Sequence, residues 1–150
     1  MPQKKCLYIP EGSNPLQEKF INYLMKGGKK NVARRIFKET MQVISEKDKA
    51  PEKVFEKAIE TVRPTLEVRA KRIGGAVYQI PVEVRPERQT MLAFRWILLA
   101  ARAKKGAPIA KKLADELVAA AAGEGSAMKK KDDTVKMAQA NKAFAHFAKY

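Results

Sequence analysis

The sequence predicts a mainly α protein: about six helices in a single bundle-like domain with one projecting two-stranded β-hairpin. Three observations predict it. Apolar residues recur at helical spacing through most of the chain. Prolines and glycines interrupt that pattern at the intervals of helix ends. One stretch, Val68 to Arg88, switches to alternation at period two around a Gly74-Gly75 pair. The 150 residues, 45% of them apolar, suffice for one real core. The division expected is an extended basic tail over 1–13 and one helical domain over 14–150, with a β-arm at about 66–85.

The elements follow in order. Asn14 is a capping residue, Pro15 suits a first helical turn and Gly27-Gly28 stop the helix, whose apolar face is Phe20, Ile21, Leu24 and Met25. A second helix is predicted from about Lys30 to Ser45, with Val32, Ile36, Thr40 and Val43 on one stripe and Phe37, Met41 and Ile44 widening it. Pro51 opens a third, with Glu52 in its first turn and Pro64 beyond its end. Pro86 opens a fourth, to about Ala103, and Pro108 a fifth, to about Ala122. "GEGSAMKKK" reads as a flexible basic link. Asp132 or Asp133 would then cap a last helix, with Met137, Ala140, Phe144 and Phe147 on one face.

In the hairpin, Tyr78, Ile80, Val82 and Val84 fall on one face of the second strand. Val68 and Ala70 are expected to match them, leaving Arg69 and Lys71 on the other face. The glycine pair supplies the positive φ that a tight reversal requires. Pro81 donates no ladder hydrogen bond, so its strand needs a free edge. A lone hairpin is marginally stable, so the helices must anchor its base.

Charge is the functional signal. Thirty-one Lys and Arg face sixteen Asp and Glu, a net charge of +15. The surplus is largest over residues 63–105, with ten basic and three acidic side chains. A folded chain this basic points to a polyanion, with nucleic acid ahead of an anionic membrane. On the fourth helix Arg88, Arg95 and Arg102 recur every seven residues, so they drift only about 20° per step. They form a cationic strip on an otherwise apolar helix, aimed at phosphates or else snorkelling to water and glutamates. Trp96 reads as core, and Tyr78 as the aromatic better placed to touch a partner.

Other classes of function find no support. One His and one Cys exclude a His/Cys metal cluster. The lone Cys6 fits a reducing compartment. No phosphate-binding loop, dinucleotide fingerprint or nucleophile elbow occurs. No apolar run is long enough to span a bilayer, and the N-terminus has no signal-peptide pattern. No catalytic residue, metal, cofactor, membrane or small-molecule substrate is expected.

Three stretches carry a resemblance to a known family. "FINYLMKGGKKNVARRIF" (Phe20 to Phe37), "PTLEVRAKRIGGAVYQIPVEVRPERQTMLAFRW" (Pro64 to Trp96) and "KKKDDTVKMAQANKAFAHF" (Lys129 to Phe147) resemble the bacterial form of small-subunit ribosomal protein seven. The likeness covers nearly the whole chain from about residue 14. It implies a structural constituent of the small ribosomal subunit in the cytoplasm, a primary 16S rRNA binder that nucleates the 3′ (head) domain. It also implies a hairpin and C-terminal helix near the mRNA exit and the E-site tRNA, with small-subunit proteins nine and eleven as neighbours. The family usually begins with an arginine-rich tail, whereas this chain has only Lys4 and Lys5 there.

Charge and resemblance together select the expected rRNA contacts: Lys4, Lys5, Lys29, Lys30, Arg34, Arg35, Arg69, Lys71, Arg72, Arg88, Arg95, Arg102, Lys104, Lys105, Lys129, Lys130 and Lys131. Gly74, Gly75, Tyr78, Gln79, Arg85 and Lys142 are expected near tRNA or mRNA. The alternatives are a DNA-bending architectural protein with a basic β-arm, or an RNA-modifying enzyme. The first wants an apolar wedge at a tip that offers only Ile73 or Val77. The second wants a cofactor loop or a nucleophile.

Overall fold

A computed structural model describes residues 9–149, without the side chain of Lys149; Lys4, Lys5 and Cys6 lie outside the described residues. Six α-helices, one hairpin and a terminal 3-10 segment follow in order: α1 Pro15–Leu24, α2 Lys30–Lys47, α3 Pro51–Val62, β1 Leu66–Ile73, β2 Ala76–Glu83, α4 Pro86–Ala103, α5 Ile109–Ala121, α6 Ser126–Ala140 and the 3-10 turns Lys142–Lys149. The punctuation works as its chemistry requires. Asn14 Oδ1 accepts from the Leu16 amide at 2.9 Å, and prolines open α1, α3 and α4.

Helix α5 is central, packed on α2, α3 and α4. Beside it four phenylalanines from four helices interlock. Phe20 lies 5.2 Å from both Phe55 and Phe94, edge-on, and 5.8 Å from Phe37. Such edge-to-face pairs contribute about 0.5–1.5 kcal/mol each beyond area burial. Of the α2 residues expected inward, Phe37, Thr40 and Ile44 are buried and Ile36, Met41 and Val43 pack half-buried against the core; Val32 alone is exposed, and Ala33 is buried beside it. Phe37 joins the aromatic cluster, 5.5 Å from Phe55 and edge-on to it.

Two further expectations are corrected. The hairpin turns at Gly74 and Gly75 with φ of 57° and 87°, the two consecutive positive values of a two-residue turn. That loop length pairs Ile73 with Ala76, and so Arg69 with Ile80 and Lys71 with Tyr78. Directly opposed residues share a face, so Arg69 and Lys71 lie with Tyr78, Ile80 and Val82, and Val68 and Ala70 take the other face. The second correction concerns the link. α6 begins at Ser126, so Lys129, Lys130 and Lys131 are helical and neither Asp132 nor Asp133 caps it. The helix ends at Ala140, which leaves Phe144 and Phe147 on the 3-10 turns and Met137 exposed.

Candidate nucleic-acid interface

The basic residues divide by what they touch. One group holds the fold. Glu18 is buried at the α1–α2 junction, where it meets Arg34 at 3.0 Å and Lys30 at 3.7 Å. Glu116, buried on α5, meets Lys104 at 2.9 Å, while its Oε1 accepts from the Ala127 amide at 3.0 Å. A carboxylate distant in sequence therefore caps α6, in a place where no local side chain does. Its Oε2 makes no well-directed hydrogen bond, so the contact with Lys104 is an ion pair only.

Three cations tie off the C-terminal ends of helices, where carbonyls lack partners and the dipole is negative. Arg102 donates to Leu24 O at 3.2 Å, Lys131 to Thr61 O at 2.6 Å and Lys112 to Lys104 O at 2.9 Å. Arg88 lays its Nε 2.9 Å from each oxygen of Glu67, which also meets Arg69 at 3.6 Å. Arg35 has only a long surface pairing with Glu39 at 4.0 Å. These positions spend part of their charge inside the molecule, and the heptad spacing of the arginine strip does not reveal it.

Among the expected contacts, a second group has no ion pair with a described residue: Lys29, Arg72, Arg85, Arg95, Lys105, Lys129, Lys130 and Lys142, all exposed. Two open grooves organise part of this group. One, about 520 Å³, is lined by Tyr23, Leu92, Arg95, Trp96, Leu98, Leu99, Arg102 and Lys130. The other runs from Lys19 and Tyr23 to Arg63, Arg88 and Met91, and Tyr23 belongs to both. The result is an open channel along α1 and α4 with aromatic and aliphatic walls, cationic around Arg95, Arg102 and Lys130 and of mixed charge in the second groove, where Glu87 also lines it. α4 is accordingly not buried all round: Arg95 is exposed and so, at 62%, is the apolar Leu99.

The hairpin's base is held as expected, with Val84 buried, but the cover extends along the strands to Ile80 and beyond. Along one face, α6 packs against β1 and the 3-10 turns against β2. Tyr78 lies 5.3 Å from Phe144 and stacks on Phe147 at 5.4 Å, while Lys71 donates to Phe147 O at 3.2 Å. Tyr78 is thus half-buried in an intramolecular stack. Arg72, Gly74, Gly75, Val77 and Gln79 remain exposed around the tip and the opposite face. His146 is exposed beside Phe147, with Nδ1 3.1 Å from Ala143 O.

Reading the sequence missed Tyr23 and Leu99 as surface features and Glu18 and Glu116 as buried anchors. Tyr23 sits between core residues on its helix and Leu99 inside an apolar run, so periodicity alone assigns both inward. Nothing local marks the two glutamates. No helix of the described residues is long and apolar enough to cross a membrane.

The family model described as Ribosomal protein S7p/S5e matches residues 1–142. The chain is similar to small ribosomal subunit protein uS7 of Pseudothermotoga lettingae, 55% identical over 144 residues, covering 95% of this chain and 93% of that one. It is similar to the protein of the same name from Salinibacter ruber, at 51% identity with 92% and 89% covered, and from Nitratiruptor sp., at 50% with 97% and 95% covered. With nearly the whole length matched at this identity, the chain belongs to the Ribosomal protein S7p/S5e family.

Proposed function

We propose that this protein is a structural constituent of the small ribosomal subunit in the cytoplasm, acting as a primary binder of 16S rRNA that nucleates the 3′ (head) domain. The observation that carries the reading is the channel along α1 and α4, where Arg95 and Lys130 project cationic charge with no acidic partner among the described residues. Cations free of internal ion pairs can exchange counterions for phosphates, the main source of affinity for nucleic acid. The aromatic walls suit single-stranded or junction RNA, whose bases are open to stacking.

Within this reading, Lys29, Lys105 and Lys129 extend the rRNA surface, and Lys30, Arg34 and Lys104 contribute through the ion pairs that shape it. The exposed tip, with Arg72 and Gln79, is the part that would reach the mRNA exit and the E-site tRNA. Lys142 and the 3-10 turns back the hairpin from behind. Small-subunit proteins nine and eleven are the protein neighbours, as the family resemblance implies.

The test compares Arg95→Glu with Lys53→Glu, an exposed lysine on α3. Arg95→Glu should weaken binding to the 3′-domain fragment much more, and should lower the slope of log K against log salt by about one phosphate contact. Equal effects would mean that RNA meets only a diffuse positive field.

A further inference from the structure

We infer that the groove of Tyr23, Trp96, Leu99 and Arg95 is a receptor for one unstacked nucleotide of the bound RNA, with the base against the aromatic and aliphatic wall and its phosphate held by Arg95 and Lys130. The inference rests on the proposed RNA-binding function and deepens it.

Three features converge on this site. Its wall is apolar and unfilled: Leu99 is 62% exposed and Tyr23 37% exposed, both unusual for large side chains flanked by core positions. Trp96 is half-buried, packed against the core on one side and lining the groove on the other. Its rim is cationic, with Arg95, Arg102 and Lys130 contributed by α4 and α6. Arg102 is pinned by its bond to Leu24 O, so that corner is pre-organised.

The chemistry selects the occupant. A flat apolar wall beside a cluster of cations matches a nucleobase joined to its phosphate better than it matches an apolar peptide, which would leave three cations facing it. A base paired and stacked within a helix cannot reach such a wall, so the nucleotide must be bulged or single-stranded. Base–aromatic stacking contributes roughly 1–3 kcal/mol per base, enough to fix how the protein sits on its RNA.

The chain has one tryptophan, so its emission reports on this groove alone. The full-length protein is titrated with the 3′-domain fragment of 16S rRNA while binding, Trp96 emission and quenching by acrylamide are followed together. Strong loss of emission with reduced acrylamide access, saturating with binding, is the expected result. Leu99→Glu, which places a carboxylate among the three cations at an exposed position, should weaken binding about tenfold or more. Trp96→Phe, which keeps a π-face, should bind within a few-fold of wild type. Binding with emission and acrylamide access unchanged would overturn the inference while sparing the proposed function, and would leave the groove for a protein neighbour. Absence of binding would overturn both. Should Leu99→Glu fail to fold, the wild-type emission decides.

Discussion

Glu116 offers the sharpest test of how the fold positions its charged surface. Its carboxylate is fully buried, caps α6 through the Ala127 amide at 3.0 Å and pairs with Lys104 at 2.9 Å. Glu116→Ala removes both contacts and leaves a cavity between α5 and α6. The Ala127 amide bond is at once the helix cap and a hydrogen bond to a charged group, a single contribution of about 1.5–3 kcal/mol; the ion pair and the cavity add to the loss, and relief of the carboxylate's desolvation offsets part of it. Lys104 is 37% exposed and finds water, so no stranded cation adds to the cost. The net expectation is a destabilisation of about 2–3 kcal/mol, or a melting temperature lower by roughly 4–12 °C for a domain of this size. Glu116→Gln keeps an acceptor for Ala127 and loses only the ion pair, so it should fall by about half as much. Urea unfolding followed by far-UV circular dichroism measures both variants. A loss below about 1 kcal/mol for the alanine variant, with an unchanged urea slope, would refute the long-range cap.

Gly125 adjoins the same contact at φ 93°, and a Cβ there would stand 2.9 Å from Glu116 Oε1. Gly125→Ala should therefore cost about 1–3 kcal/mol in the same urea assay, and a neutral result would contradict that geometry. Tyr78→Ala should release residues 142–149 from the hairpin. Faster hydrogen exchange there, with the helical core unchanged, is the expected outcome, and unchanged protection would mean that the aromatic stack contributes nothing. Arg88→Ala breaks a pair in which Arg88 is exposed and the Glu67 side chain is 12% exposed; because Glu67 keeps Arg69 at 3.6 Å, stability should change by less than about 1 kcal/mol. A larger loss on thermal melting would show that the pair clamps the hairpin base to α4.

Most helices were legible because their signals are local. Asn14 and the prolines at positions 15, 51 and 86 mark starts that a single turn of chain decides. The start of α6 was not legible, because its cap is Glu116 and a Gly-Glu-Gly-Ser stretch otherwise reads as a link. The hairpin was legible from Gly74-Gly75, but its faces were not. The face of each strand depends on the parity of the pairing, and the two-residue turn fixes that parity at Ile73 and Ala76. The site was legible as charge and not as geometry. Composition and helical spacing marked Arg95 and Arg102 as one strip. Whether a given cation is free or held depends on groups distant in sequence: the Glu18 carboxylate for Arg34, and the backbone carbonyls of Thr61 for Lys131 and Phe147 for Lys71. Tyr23 and Leu99 are exposed at an open groove between α1, α4 and α6, which the periodicity of a single helix does not show.

On the proposed function, the channel along α1 and α4 recognises a defined RNA rather than any polyanion. Filter binding of the full-length protein tests it most directly, comparing the 3′-domain fragment of 16S rRNA, a scrambled RNA of equal length and a DNA duplex at two salt concentrations. The predicted result is a preference for the ribosomal fragment that persists at the higher salt, while the other two weaken together. Equal affinity for all three at both salts would contradict the account and favour a DNA-bending protein with a basic arm.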